Sequence, residues 1–248
     1  MDITFLVFAG IAVLFAGISK GGFGSGAAFA SSAILAIILP PAAALGIMLP
    51  LLMLMDTTSL RAYWGKWSWT DARLLLIGSL PGTFLGAVFF VVVNPDAIRV
   101  LIGAISLAFV AWQMLSRSRF LSLNESRFGA RAGLIAGVIL GFTSFVSHAG
   151  GPAAAVYLLG QRLSKTTYQA TTVIIFALVN FAKAVLYAGM GIFTFEGVTT
   201  TVIFAPVAVL GTWLGIRAHF LVSERLFFAL TYVMLTLTGI KLIYDGLV

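Results

Sequence analysis

The sequence predicts an all-α integral membrane protein made of two inverted-topology repeats, whose broken or re-entrant helices meet near the membrane midplane. Two observations predict the membrane class: 60% of the 248 residues are hydrophobic and 9% are charged, whereas a soluble domain carries about 25% charged residues. So much apolar surface cannot be hidden inside one chain, and its solvent is therefore lipid. A third observation, an internal duplication, predicts the repeats.

Ten apolar segments follow one another along the chain, five in each half. A full membrane span needs about 20 apolar residues, and the first two segments of each half are shorter, so they are either two thin spans or a re-entrant pair. Asp2 stands where a signal peptide carries Lys or Arg, so the first segment is expected to be retained. The segments lie at 3–18, 24–39, 42–60, 74–93, 98–115, 132–147, 150–160, 166–188, 198–216 and 226–244.

The duplication relates the two halves by a shift of 124 residues, with short insertions further along. It predicts a first transmembrane repeat at 1–118, a cytoplasmic linker at 119–131 and a second, inverted transmembrane repeat at 132–248. The matches are Gly17 with Gly141, Ser19 with Thr143, Gly26 with Gly150, Asp56 with Asn180, Tyr63 with Tyr187, Gly65–Trp69 with Gly191–Phe195, and Gly82–Gly86 with Gly211–Gly215.

The basic residues lie in short loops and predict the orientation. With the central linker in the cytoplasm, 11 of the 15 lysines and arginines fall on the cytoplasmic side, as the positive-inside rule requires. Both termini then face the periplasm. Each half crosses the membrane an odd number of times, so the second half is inverted relative to the first, a common plan of secondary transporters. The expected localisation is a membrane that the chain crosses several times.

The same composition limits the kinds of binding partner that are expected. The net charge of +7 comes from loop residues, which indicates topology rather than nucleic-acid binding. The chain has no cysteine and two histidines, so no disulfide, metal site or cofactor is expected. The expected partners are a small anionic substrate and the lipid bilayer; the oligomeric state is left open, with a homodimer among the options.

Glycine-rich stretches interrupt the apolar pattern in both halves, "GISKGGFGSG" at Gly17–Gly26 and "GFTSFVSHAGGPAAAVYLL" at Gly141–Leu159. Broken backbone at membrane depth survives only when it is buried in protein or lines a watery cavity. Two helix N-termini would meet there, and their N–H groups attract anions. Lys20 adds a full positive charge. The alternative is close helix packing through small residues, but two breaks related by the repeat favour a site.

Charged residues at membrane depth complete the candidate site. A charge there costs about 2.5–3.5 kcal/mol, which marks it as functional by default. Lys183 follows Asn180 by one turn on the same helical face. Asp56 would offset the burial of either Lys20 or Lys183 in an ion pair, which could also be purely structural. The predicted substrate-binding residues are Lys20, Gly21, Gly22, Gly24, Ser25, Gly26, Ser147, His148, Gly150, Gly151, Asn180 and Lys183, with Asp56 and His148 as coupling or ion-pair groups.

The motifs also resemble a known family. The duplicated break, "GGP" at Gly150–Pro152, and a "G-x-aromatic-[ST]-aromatic" turn followed by "GTxLG" in each half resemble the TauE/SafE family of sulfite exporters over nearly the whole chain. The resemblance implies export of sulfur-containing anions, such as sulfite or sulfonates like sulfoacetate, across the inner membrane. Lys20 and Phe23 in the first break, with no proline soon after it, depart from the family's usual pattern.

Three other functions compete with export. An anion channel and a proton-coupled importer of a related organic anion fit the same residues. An intramembrane hydrolase would use Ser25 and His148, but Phe23 breaks the G-x-S-G register, and a serine–histidine pair gives no reason for an inverted duplication. The chain is therefore expected not to be an enzyme.

Overall fold

A computed structural model describes residues 3–23, 28–117, 128–218 and 224–248, and within these ranges the chain forms helices and no strand. The predicted all-α class is confirmed, and each of the ten apolar segments corresponds to one helix. The helices are α1 (Ile3–Gly22), α2 (Ala30–Ile38), α3 (Pro41–Tyr63), α4 (Trp69–Val92), α5 (Pro95–Arg117), α6 (Ala130–Ser147), α7 (Gly151–Gly160), α8 (Lys165–Gly189), α9 (Phe195–Ala218) and α10 (Glu224–Leu247).

Helix length separates the first two elements of each half. Within the described ranges, seven helices are long and apolar enough to cross a membrane, and α1 and α6 are among them. The next helices, α2 and α7, have 9 and 10 residues. These lengths correspond to about 14 and 15 Å, half of the hydrocarbon thickness. Each half therefore begins with one span-length helix followed by one half-length helix.

The turns after α3 and α8 have the same backbone geometry. Gly65 follows α3 with φ of +73°, and Gly191 follows α8 with φ of +69°. Glycine adopts this left-handed conformation at little cost, and it is frequent at helix C-termini. Because Gly65 and Gly191 are matched in the duplication, the two turns agree with the predicted repeat.

Two close helix pairs join one half of the chain to the other. In the pair of α1 with α9, a Cβ on Gly17 would lie 2.8 Å from the backbone nitrogen of Thr212, and one on Gly211 would lie 2.7 Å from the Leu14 oxygen. The pair of α4 with α6 is built in the same way, because Gly82 faces the Val138 oxygen and Gly141 the Ser79 oxygen. We call these pairs the glycine seams.

The seams correct one prediction. Gly17, Gly21 and Gly22 lie inside α1 and do not break the backbone. Each packs against the backbone of α9, which is the close packing that small residues allow between membrane helices. The first break therefore begins at Phe23 instead of Gly17, and residues 24–27 of it lie outside the described ranges.

The centre of the bundle is formed by α3 and α8, which run antiparallel. Leu45 and Leu49, early in α3, pack with Tyr187, late in α8. Tyr63, at the end of α3, packs with Ala170 and Val173 at the start of α8. Since these helices are counterparts in the duplication, their opposite directions agree with an inverted repeat, which remains a prediction.

Candidate functional site

A layer of buried polar side chains lies between these two apolar contacts. The Lys20 ammonium, in the last turn of α1, is 2.6 Å from Asp56 Oδ1, and both side chains are almost completely buried. Asn180 Nδ2 donates to Asp56 Oδ2 at 2.7 Å. Asp56 and Asn180 are matched in the duplication, so the two counterparts contact each other where α3 meets α8.

The second buried lysine has different neighbours. Lys183 Nζ lies 2.6 Å from His148 Nδ1, 3.2 Å from Ser144 Oγ and 3.4 Å from Asn180 Oδ1. Its side chain is fully buried. Within the described part of the chain no carboxylate forms an ion pair with Lys183, so the hydrogen-bond partners of its Nζ there are neutral groups.

His148 joins the second break to the polar layer. It ends α6 in a left-handed conformation, with φ of +56°, and its Nε2 is 3.2 Å from the Leu45 carbonyl oxygen of α3. A carbonyl only accepts hydrogen bonds, so Nε2 carries the proton and Nδ1 is the acceptor for Lys183. The neutral Nε2–H tautomer of His148 therefore satisfies both contacts.

Three further hydrogen bonds hold the ends of α1 and α6 in place. The Tyr63 hydroxyl donates to the Gly21 oxygen at 2.8 Å, and the Tyr187 hydroxyl donates to the Phe145 oxygen at 2.5 Å. These bonds are counterparts in the duplication. Gln169 Nε2 donates to the Lys20 oxygen at 2.7 Å. They satisfy carbonyls close to helix C-termini, which have no partner inside their own helix.

Two apolar layers enclose the polar layer. The first layer contains Leu45, Leu49, Phe145, Tyr187 and Ile192. The second contains Tyr63, Ala170 and Val173, with partly buried neighbours. Asp56 lies between the two along α3.

A cavity of about 520 Å³ opens beside the first layer, lined partly by Phe5, Leu39 and Glu196. It is also lined by Gly46 and Ile192, and a Cβ on Gly46 would lie 2.7 Å from the Ile192 oxygen. This tight contact belongs to the first apolar layer. The cavity therefore lies beside the first apolar layer, and none of the residues of the polar layer lines it.

The second break is short and tightly packed. It consists of His148, Ala149 and Gly150, where Gly150 is the N-cap of α7 with φ of −70°. A Cβ on Gly150 would lie 2.9 Å from Ser144 Cβ and 3.0 Å from Phe176 Cε1. Gly150 is therefore required for space beside Ser144, and its backbone is an ordinary right-handed one.

The structure brings together part of the predicted site. Lys20, Asp56, His148, Asn180 and Lys183 meet in the polar layer. Gly21 and Gly22 belong to the seam with α9, and Ser147 Oγ donates to the Thr143 oxygen within its own helix. Gly150 and Gly151 begin α7. Gly24, Ser25 and Gly26 lie outside the described ranges.

The predicted set of binding residues omits Ser144 and Ser59, although the duplication relates both of them to its lysines. Ser144, which contacts Lys183, is the counterpart of Lys20. Ser59, which is fully buried on α3, is the counterpart of Lys183. Each half thus has a lysine where the other has a serine. Tyr63 and Tyr187 were matched in the sequence, but nothing in it indicated their carbonyl partners.

The fold and its central charged layer define a multi-pass α-helical membrane protein of the transporter class. The family model described as "Sulfite exporter TauE/SafE" matches the chain over residues 9–242. The chain therefore belongs to the TauE/SafE family of membrane transporters. Comparison with curated proteins and with solved structures finds no match.

Proposed function

We propose that this chain is a secondary transporter that exports small sulfur-containing anions, such as sulfite or sulfonates like sulfoacetate, across the bacterial inner membrane. The single observation that carries the proposal is the charge balance of the polar layer. Two buried lysines meet there, and one carboxylate, Asp56, pairs with one of them. An anion bound beside Lys183 would supply the missing negative charge, since intramembrane ions need a partner.

The bound anion would lie between the two apolar layers. Donors for its oxygens are the Lys183 ammonium and, after rearrangement around Asp56, the Lys20 ammonium. Ser144 and Asn180 keep Lys183 in place through their oxygens. Alternating access then requires opening one apolar layer at a time, and the contact of Gly46 with Ile192 is the barrier on the side of the cavity. Closed layers on both sides favour a carrier over an open anion channel.

The proposed orientation is that of an inverted repeat with both termini in the periplasm. The antiparallel pairing of α3 with α8 and the equivalent glycine seams support the inversion, and the distribution of basic residues supports the orientation. Reporter fusions at Val248 and within residues 117–131 test it, because they should give opposite compartment signals. Equal signals at the two positions would exclude this topology.

Proton coupling is a second candidate mechanism, which the contact of His148 with Lys183 favours. Lys183 Nζ and His148 Nδ1 are 2.6 Å apart and share one proton in their hydrogen bond. Substrate binding to Lys183 would therefore change the protonation of these two residues. Import of a related organic anion driven by protons would use the same contact. Without coupling, expulsion of one negative charge gains about 2.3 kcal/mol per 100 mV of membrane potential.

Transport into and out of proteoliposomes tests these proposals together. The substrates are sulfite, sulfoacetate, taurine, thiosulfate and sulfate, each measured at clamped potentials and with imposed pH gradients. We expect saturable efflux of sulfite or sulfoacetate that follows the potential. Efflux that ignores the potential but follows the pH gradient supports proton coupling through His148. Transport of none of the sulfur anions would contradict the proposed function.

A further inference from the structure

The hydroxyl of Ser59 is fully buried, and no described residue forms a hydrogen bond with it. Buried polar groups in folded proteins nearly always have a partner, and one without a partner costs stability. Ser32 on α2 is likewise buried without a partner among the described residues, but other buried serines follow this rule. Ser106, equally buried on α5, donates to the Ile102 oxygen at 2.8 Å. Ser59 is therefore an exception that needs a physical reason.

The position of Ser59 places it at the edge of the polar layer. It follows Asp56 by three residues on α3, so both side chains lie on one face of the helix. Asp56 pairs with Lys20 on that face. Helical spacing places the Ser59 Cβ about 5–6 Å from that of Asp56, and among the described residues no hydrogen bond links the Ser59 hydroxyl to the ion pair.

The second half shows what the equivalent position does. Ser59 and Lys20 are the counterparts of Lys183 and Ser144, and Lys183 binds Ser144 at 3.2 Å. In the first half the corresponding contact is absent from the described residues, because the Lys20 ammonium lies against Asp56. Among the described residues Ser59 thus has no acceptor for its hydroxyl, at the position whose counterpart, Lys183, contributes to the layer.

We propose that Ser59 is a substrate-binding residue whose hydroxyl donates to an oxygen of the bound oxyanion on the α1–α3 side of the polar layer, while Lys183 supplies the charge on the α8 side. The inference rests on the proposed function and identifies a contact within that same site. A sulfite or sulfonate group carries three oxygens, so it can accept from a hydroxyl and an ammonium at the same time. The unpaired hydroxyl of the empty site is then used only when the anion is bound.

A ligand contact and a structural contact predict opposite effects of removing the hydroxyl. If the anion is the partner, Ser59→Ala removes an unsatisfied group from the empty protein and a donor from the complex. The ligand-free melting temperature should then be unchanged or higher. The sulfoacetate concentration that gives a half-maximal thermal shift should rise about tenfold or more, as for a lost hydrogen bond to a charged group.

The test uses the purified full chain in detergent, titrated with sulfoacetate and with sulfite. Wild type, Ser59→Ala and the control Ser106→Ala are compared by thermal unfolding, since a ligand that binds the native state raises its stability. Ser106→Ala should lower the ligand-free melting temperature and leave the half-maximal concentration unchanged. Ser59→Ala should leave the ligand-free melting temperature unchanged or higher and should raise the half-maximal sulfoacetate concentration. This pattern would support the proposal.

Two other outcomes overturn it in distinguishable ways. If Ser59→Ala lowers the ligand-free melting temperature and binds sulfoacetate as wild type does, the hydroxyl is structural and holds a buried water, while the proposed function stands. If wild type responds to neither anion in this assay and transports neither, the proposed function fails, and the assignment of Ser59 fails with it.

Discussion

The two buried lysines occupy one polar layer but have unlike surroundings. Lys20, on α1, is in an ion pair with Asp56. Lys183, on α8, is held by a hydroxyl, an imidazole and an amide. The difference teaches that the layer is divided: Lys20 and Asp56 form an ion pair that joins α1 to α3, whereas Lys183, whose partners among the described residues are neutral, is the lysine that we propose binds the substrate. Four predictions test this division.

The largest expected effect is the loss of stability when Lys20, the lysine paired with Asp56, is replaced. Lys20→Ala leaves Asp56 buried without a counter-charge, so the protein should lose about 3–5 kcal/mol of stability. The double variant Lys20→Ala/Asp56→Asn removes both charges and should recover most of the loss. Thermal unfolding and membrane yield measure both variants.

Lys241→Ala provides the control, because its ion pair with Asp245 is exposed and worth about 0–1 kcal/mol. A double variant that stays as unstable as Lys20→Ala would mean that the ion pair is not the reason for the instability.

The second prediction concerns the lysine that lacks a carboxylate. Lys183→Met keeps the approximate volume and leaves no carboxylate behind, so stability should remain within about 1 kcal/mol of wild type. Anion affinity should fall by roughly 10- to 150-fold, because a charge-assisted hydrogen bond is lost. Substrate titration of the purified protein measures the affinity. Unfolding of Lys183→Met comparable to that of Lys20→Ala would abolish the distinction between the two lysines.

The third prediction concerns the space around the Lys183 side of the layer. A side chain at Gly150 meets Ser144 and Phe176 within 3.0 Å, so Gly150→Leu should cost about 1–3 kcal/mol through overpacking. It should also weaken anion binding, because Ser144 contacts Lys183. Gly129→Leu is the matched control, since a Cβ there meets nothing within 4 Å. Equal unfolding curves for the two variants would show that the second break can accommodate a side chain at position 150.

The smallest expected effect is the loss of stability when the tyrosine of either apolar layer is replaced. Tyr63→Phe and Tyr187→Phe each remove one hydrogen bond to a backbone oxygen, worth about 0.5–1.5 kcal/mol. Because the bonds are counterparts, the two losses should be similar, while Tyr244→Phe, at an exposed tyrosine, should change nothing. Chemical denaturation resolves differences of this size. A loss confined to one tyrosine would show that the layers are not equivalent.

Much of the fold could be predicted because lipid imposes a simple pattern on the sequence. Each of the ten apolar segments is a helix, and the counterparts Gly65 and Gly191 both end theirs in the left-handed conformation. The glycines of α1 could not be interpreted in the same way. A glycine that breaks a helix and one that admits another backbone look alike in sequence. The partner of Gly17 is Thr212, almost the whole chain away.

The sequence identified the charged residues of the site but not which lysine pairs with Asp56. Asp56, Lys20 and Lys183 were recognisable as charges in apolar surroundings, yet either lysine could have been the partner of Asp56. The choice follows from the packing of α1 against α3, which places the Lys20 ammonium on the carboxylate. The role of Ser144 likewise depends on how α6 lies against α8, and no local pattern encodes that contact.

The glycine seams have a consequence for how the protein is made. In the seams α1 packs against α9 and α4 packs against α6, so each seam pairs a helix of the first half with a helix of the second. At roughly 5–20 residues per second of synthesis, the 173 residues from Gly22 to Phe195 take roughly 9–35 s. Throughout that interval α1 resides in the bilayer with its glycine face covered by lipid or by the insertion machinery. We therefore expect assembly to end with late helices displacing the temporary neighbours of early ones.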